Sequence, residues 1–422
     1  MPAAGEATMT EPWARDDTRD IRAGAPGEDR VKPDYAGGSL VNLMASIGES
    51  LGYRGSRPPA HAPLGLLPAD ALRGARTVVL LVLDGLGDRY LSRRGATTRL
   101  AADRIGSLTS VFPSTTATAI TTFLTGASPR EHGLTGWHLW LDEIGAVVSI
   151  LPCRTRGDGR LLRECGVNPL RLFREPEPLA SRLAATCASV SPRWIIDSDY
   201  NLAHSGTALR YPWQTREQFF DRIVEASSAP GADRRFIYAY YPEIDSISHD
   251  CGPDSLEVEA ELWRVDQGYT RMLERLRGTD TAVLVTADHG FIEAPAERNL
   301  ELDRHPGIAA MLARPLCGER RLAYAYVRPG QSEAFARALV GEFGDAVQPV
   351  PSAQLVSEGW FGPALGREHP GFRARIGDLT LMMAPGWTLK DWLPGERRHR
   401  LIGVHGGTTA EEMEVPLLLA RC

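Results

Sequence analysis

The stretch TVVLLVLDG, residues 77–85, places six consecutive aliphatic side chains (78–83) directly before Asp84 and Gly85. Six residues are too few for a buried helix. A short β-branched run closed by a polar turn reads as a strand buried on both faces. Similar runs recur at 193–198 (RWIIDS), 236–242 (FIYAYYP) and 282–287 (AVLVTA). Between them lie amphipathic stretches such as 255–276, where Leu256, Val258, Leu262, Val265, Tyr269, Met272 and Leu276 fall on one helical face. Strands alternating with helices predict an α/β fold, a mostly parallel central sheet covered by helices on both faces.

Working outward, a chain of 422 residues is long enough for two or three domains. Residues 1–36, rich in Ala, Gly, Pro and mixed charge with no apolar period, read as a mobile tail. Residues 37–300 and 376–422 read as the catalytic α/β core. Residues 301–375 break the rhythm with a strand near 321–328, a helix near 332–342 and a strand near 346–351, a small α/β cap insert of βαβ type. The core is expected to resume with the strand at 378–384 and to end in the strand at 415–421.

Lys and Arg total 47 against 53 Asp and Glu, a balance that argues against a nucleic-acid polymer as partner, since such binders carry a basic face. The longest apolar run is far short of the roughly 20 residues of a membrane helix, and the N-terminus shows no secretory pattern. A cytoplasmic protein without membrane contact is therefore expected. Six isolated cysteines with no CxxC pair fit a reducing compartment.

In open α/β sheets, ligands gather beyond the carboxyl ends of the strands. Those positions hold Asp84-Gly85, Asp245 and His249 after the 236–242 strand, and Asp288-His289-Gly290 after the 282–287 strand; near the C-terminus comes Gly403-Val404-His405-Gly406-Gly407. Taken singly, each has a structural explanation: a turn, a local hydrogen bond, a polar loop. Together, three Asp and three His in strand-exit or glycine-flanked loops are what one or two divalent ions such as Zn²⁺ require. Pro113-Ser114-Thr115-Thr116 precedes an apolar helix, so a threonine hydroxyl there lies at a helix N-terminus, where free N–H groups attract anions. The plainer role for such a threonine is an N-cap.

In this order the motifs LDG (83–85), PSTT (113–116) followed by TG (125–126) and HG (132–133), DxxxHxxG (245–252), ADHG (287–290) and GxHGG (403–407) resemble the alkaline phosphatase superfamily, specifically its type I phosphodiesterase/nucleotide pyrophosphatase branch. The resemblance spans residues 78–407. It implies Thr116 as nucleophile, nine residues before the Thr-Gly pair, with Thr115 its neighbour. It also implies one ion held by Asp245, His249 and His405, and another by Asp84, Asp288, His289 and the Thr116 oxygen. Such ions lie about 4 Å apart; Zn²⁺ is expected, with Mn²⁺ as the alternative.

The function so implied is hydrolysis of phosphate diester or pyrophosphate bonds in a small-molecule phosphate ester or nucleotide, through phospho-threonine. Alternatives are a phosphomonoesterase, phosphonate hydrolase or phosphotransferase of the same superfamily, or a catalytically silent metal-dependent binding protein. Branch members commonly carry an Asn shortly after the His-Gly, where this chain has Leu134-Thr135-Gly136-Trp137. Three carboxylates against two dications leave a formal +1, which favours a diester monoanion. Trp137, His138 and Trp140 are candidates to stack a leaving group, and Arg154, Arg156, Arg160 and Arg163 are candidate phosphate contacts, although packing and solvated loops are the commoner roles for both sets.

Overall fold

The computed structural model describes residues 30–54, 60–231 and 234–422. Its main sheet has seven strands, in the order Arg104–Thr109, Glu414–Arg421, Thr281–Thr286, Thr77–Leu83, Arg235–Tyr241, Thr186–Pro192, Leu209–Trp213. The last five in this order are mutually parallel, and Glu414–Arg421 runs antiparallel to both of its neighbours. All seven residues of Thr77–Leu83 are buried, which is why that stretch shows no alternation of apolar and polar side chains. Helices flank the sheet; Leu40–Leu51 packs with Thr116–Thr125, and Arg216–Ser228 with Leu256–Leu276. The expected α/β architecture is present. Among the described residues no helix is long and apolar enough to cross a membrane.

Register determines what the sheet presents at its carboxyl edge. Leu83 pairs with Tyr241 and Val82 with Thr286, so three parallel strands stop almost level. Asp84, the helix Glu243–Cys251 and the loop bearing Asp288 therefore leave the sheet side by side. A short antiparallel pair, Ile292–Glu293 with Gly403–Val404, brings His405 to the same edge.

Three sequence expectations are corrected. The strand expected at 193–198 lies earlier, at Thr186–Pro192; residues 193–197 form a turn and Trp194 is exposed. The aromatic and aliphatic cluster outweighed the less apolar TCASVSP segment, which is the one the sheet buries. Of the expected tail, residues 1–29 lie outside the described residues, but 30–36 are packed: Tyr35 is buried and its hydroxyl donates to the Trp360 carbonyl at 3.0 Å, while the Val31 N–H donates to the Thr408 carbonyl at 2.8 Å.

The third correction concerns the cap. A second seven-stranded sheet, antiparallel throughout, has the order Val347–Pro351, Leu379–Met383, Leu322–Ala325, Cys317–Gly318, His138–Leu141, Ala146–Ser149, Arg154–Thr155. The chain does not return to the main sheet near 378: Leu379–Met383 enters between Leu322–Ala325 and Val347–Pro351, so the βαβ unit is split by a strand from later in the sequence. Residues 138–155, assigned to the core from the sequence, complete the same sheet. This layer has its own apolar cluster, with Phe335 and Leu339 of the helix Ser332–Phe343 against Leu302, Val347 and Leu381.

A buried ion pair ties the second sheet to the glycine-rich loop. Arg321 Nε and Nη2 each lie 3.0 Å from a Glu412 oxygen, and both side chains are almost wholly excluded from solvent. Glu412 in turn accepts from the Gly407 N–H at 2.8 Å and the Thr409 hydroxyl at 2.8 Å. Removing one member of a buried pair strands the other. Arg321→Met should therefore lower unfolding free energy by about 3–5 kcal/mol in denaturant titrations, whereas Arg222→Met, which breaks the exposed pair with Glu225, should cost under about 1 kcal/mol.

Candidate active site

The carboxyl edge of the main sheet gathers the seven residues singled out from the sequence. Asp84 leaves the central strand and is followed by Gly85, whose φ of +79° turns the chain where a side chain would strike the Phe291 ring. Asp245 and His249 occupy successive turns of Glu243–Cys251 and face the same way, with His249 Nε2 3.5 Å from Asp245 Oδ1. At Gly403 a Cβ would come within 2.3 Å of the Ser248 carbonyl, so only glycine lets the His405 loop approach this helix.

The hydrogen bonds set the chemistry of each group. Asp288 Oδ1 accepts the Gly85 and His289 N–H groups, both at 3.1 Å, which leaves Oδ2 uncommitted. Asp84 Oδ2 accepts the Tyr240 hydroxyl, which leaves Oδ1. The oxygens Asp84 Oδ1, Asp245 Oδ1 and Asp288 Oδ2 are buried without a hydrogen-bond partner. Each histidine turns Nδ1 to a backbone carbonyl: His249 to Gly403 at 2.9 Å, His289 to Gly290 at 3.2 Å, His405 to Ser114 at 3.3 Å. With the proton held on Nδ1, all three Nε2 lone pairs are free to face the carboxylate oxygens.

The free atoms converge. His289 Nε2 lies 3.4 Å from Asp84 Oδ1, 3.5 Å from Asp288 Oδ2, 4.0 Å from Asp245 Oδ1 and 3.1 Å from Thr116 Oγ1. Asp245 Oδ1 also lies 3.7 Å from His405 Nε2. Ligand atoms arranged tetrahedrally about 2 Å from one ion are about 3.3 Å apart, so these spacings suit a divalent cation. Two overlapping groups meet that description, Asp245-His249-His405 and Asp84-Asp245-His289, with Asp245 common to both. Burial raises the Asp84 carboxyl well above the ordinary range, and the Asp288 and Asp245 charges add to it. Burial raises Asp245 too, against the pull of His249 and His289. His405 is held well below the ordinary histidine value by burial, then by His289 and His249.

Thr116 is the first residue of the helix Thr116–Thr125. The N-cap is Thr115, whose hydroxyl makes no capping bond and instead donates to Glu319 Oε1 at 2.6 Å. Thr116 is thus not the cap, and its Oγ1 points at His289. The site opens into a cavity of about 640 Å³ bounded on one side by Thr116, Asp245, His249 and His405 and on the other by the second sheet.

Trp137 and His138 line this cavity, but Trp140 packs beneath the Arg314 guanidinium, 4.0 Å from its ring centroid. Of the four arginines, only Arg156 lines the cavity. Arg154 donates to the Gly159 carbonyl at 2.9 Å, and Arg160 and Arg163 pair with Asp158 and Asp199. Sequence reasoning missed Glu319, Arg320, Lys390 and Trp392, which sit in no motif: Glu319 and Arg320 lie in the bend after Cys317–Gly318, Lys390 ends the strand Thr388–Lys390 and Trp392 follows it. Glu319 also accepts the Trp137 N–H at 2.7 Å, and burial pushes its carboxyl up to about 7.

The chain is similar to known proteins. The profile of the type I phosphodiesterase / nucleotide pyrophosphatase family matches residues 78–408. A Schizosaccharomyces pombe protein described as an uncharacterized pyrophosphatase/phosphodiesterase is 26% identical over 354 residues, 78% of this chain and 68% of that protein. Murine ectonucleotide pyrophosphatase / phosphodiesterase 5, solved as an inactive variant in complex with AMP, superposes with a TM-score of 0.59 at 18% identity, covering 81% of this chain and 87% of that one. Phosphonoacetate hydrolase from Sinorhizobium meliloti, in complex with phosphonoformate, gives 0.57 at 17% identity, covering 82% and 90%.

Asp84 and Asp245 bind a proton more tightly folded than unfolded, so the chelator-stripped protein gains stability from them as pH falls through their raised values toward about 4. His405 acts oppositely, withdrawing stability as pH falls through the ordinary histidine range. With two carboxyls against one imidazole, the gap in melting temperature between metal-loaded and stripped protein should narrow from pH 7.5 to about 5. Paired thermal scans with and without chelator across that range check it.

Proposed function

Because the chain belongs to the type I phosphodiesterase / nucleotide pyrophosphatase family, and is a hydrolase acting on phosphorus esters, we propose that it cleaves phosphate diester or pyrophosphate bonds of nucleotide-type substrates through Thr116. The observation that carries this reading is the convergence of three unpartnered buried carboxylate oxygens within 4.0 Å of His289 Nε2, which lies 3.1 Å from the Thr116 hydroxyl, with His249 and His405 Nε2 gathered on Asp245. A purely structural cluster would have its oxygens hydrogen-bonded.

The groups present fit divalent ions. Asp245, His249 and His405 would hold one, and Asp84, Asp288, His289 and Thr116 Oγ1 the other, with Zn²⁺ favoured by the imidazoles and Mn²⁺ the alternative. Bound there, they supply positive charge that lowers the pKa of the threonine hydroxyl and offsets charge building on the phosphoryl oxygens.

The chain's own residues do the rest. The helix Thr116–Thr125 directs the free N–H groups of its first turn toward an incoming phosphoryl oxygen. Thr116 Oγ1 forms a bond to phosphorus as the bond to the departing alcohol or phosphate oxygen breaks, and the departing oxygen takes up a proton. Water then cleaves phospho-threonine, returning the hydroxyl. The Asp288 and Asp84 oxygens not aimed at the cluster are fixed by Gly85, His289 and Tyr240, so the carboxylates need not reorient between the two steps. Glu319 keeps the Thr115 side chain away from the helix end, leaving the N–H groups beside Thr116 uncapped.

Thr116→Ala should retain its metal content and most of its stability while kcat falls by several orders of magnitude; Thr116→Ser should keep measurable activity because a hydroxyl remains. Near wild-type turnover by a fully metallated Thr116→Ala enzyme would rule out the covalent route. For matched aryl substrates, the +1 balance of three carboxylates and two dications predicts a higher kcat/KM for the diester than for the monoester. Initial-rate kinetics on the pair decide it.

A further inference from the structure

Beyond the reacting centre, the cavity wall contains a second, cationic feature. The Lys390 ammonium lies 5.4 Å and the Arg320 guanidinium 5.3 Å from the ring centroid of Trp392, and all three residues line the cavity that includes Thr116. Among the described residues, neither cation forms an ion pair with a carboxylate. Arg156 beside them is different: it is matched by Asp391 at 2.9 Å and Glu396 at 2.7 Å. His399 supplies no negative charge: Arg320 Nη2 lies 2.8 Å from its Nε2, and Arg320 Nη1 and Nη2 each donate to its carbonyl at 3.3 Å. Glu319 is committed through Oε1 to Thr115 and the Trp137 N–H.

Two like charges held close together and half-buried are costly unless an anion joins them. The negative face of the Trp392 ring offsets only part of that cost. Burial lowers Lys390 to about 8, with Arg156 adding to it against the pull of Glu396 and Asp391, and burial lowers Arg320 below its usual value against the pull of Glu319 and Glu396. An arginine fork beside a lysine point charge suits a multi-oxygen anion.

We infer that Arg320 and Lys390 form a subsite for a second oxyanion, a phosphate or a carboxylate, carried on the substrate beyond the phosphoryl group that meets Thr116. The inference rests on the reading that phosphorus sits at Thr116, because both features share one cavity. It narrows the substrate class: the favoured compound has two anionic centres, one that is attacked and one that is only held. A pyrophosphate linkage meets this requirement through its second phosphate. A phosphorus ester that also bears a carboxylate meets it equally.

The test is calorimetric binding to metal-loaded Thr116→Ala protein, with methylphosphonate as the single-anion probe and methylenediphosphonate and phosphonoacetate as the two-anion probes. At least one two-anion probe should bind tenfold or more tightly than methylphosphonate. Preference for the diphosphonate identifies a phosphate as the natural second anion; preference for phosphonoacetate identifies a carboxylate. Adding Lys390→Met or Arg320→Met should remove most of that gap, with metal content and methylphosphonate affinity within twofold of the parent. Lys390→Arg, which keeps the charge, should retain at least part of it. Equal affinities for one- and two-anion probes, or a gap that survives both methionine substitutions, would overturn the inference. Turnover of phosphate diesters by the otherwise unmodified enzyme is scored separately: no turnover with the gap intact defeats the functional reading and leaves the subsite standing.

Discussion

Three carboxylates brought together at the end of a buried sheet repel one another, and the rest of this structure is arranged around that repulsion. Asp84, Asp245 and Asp288 each direct one unpartnered oxygen to a common point, and burial raises the carboxyls of Asp84 and Asp245. Without positive charge the arrangement is strained electrostatically; with it, the same oxygens become ligands. The histidines are set by the same logic, each turning Nδ1 to a backbone carbonyl so that Nε2 faces the cluster.

The second sheet is held to this centre by the buried Arg321–Glu412 pair. Glu412 fixes the Gly407 N–H, and the Gly407 carbonyl accepts the Ser114 hydroxyl at 2.7 Å, so the loop after His405 and the turn before Thr116 are joined through one carboxylate. The sheet that forms one wall of the cavity is thereby coupled to the loops that carry Thr116 and His405. Arg320 lines the cavity while its neighbour Arg321 is buried against Glu412; the two lie side by side in the bend between Cys317–Gly318 and Leu322–Ala325. The same bend supplies Glu319, whose two hydrogen bonds occupy the places where a cap and a free loop N–H would otherwise stand.

Much of this was legible in the chain itself. The central strand could be read at 77–83 because a strand covered on both faces needs no polar residue, and Asp84 followed because ligands collect at such ends. The spacing of Asp245 and His249 is one helical turn, a local property. The strand at 186–192 was missed because its alanine, serine and cysteine residues carry a weaker apolar signal than the exposed Trp194 nearby. The cap boundary was missed because antiparallel pairing joined segments 138–155 and 317–383, which lie far apart along the chain.

The sequence by itself determined the fold class and set three aspartates and three histidines at strand exits and in glycine-flanked loops, each through a short-range pattern: a run, a turn, a four-residue spacing. Thr116 was singled out by the family resemblance, since its local setting reads equally as a helix cap. Tertiary structure alone decided which oxygen of each carboxylate is free, which histidine nitrogen is exposed, that Thr115 rather than Thr116 is the N-cap, and that Asp245 is shared between the two ligand groups. It also decided that Arg156 faces the cavity while Arg154, Arg160 and Arg163 do not, and that Arg320, Lys390 and Trp392 form part of the wall. Those facts depend on contacts between residues up to hundreds of positions apart, set by strand register and by the packing of one sheet against another, and no local pattern of side chains encodes them.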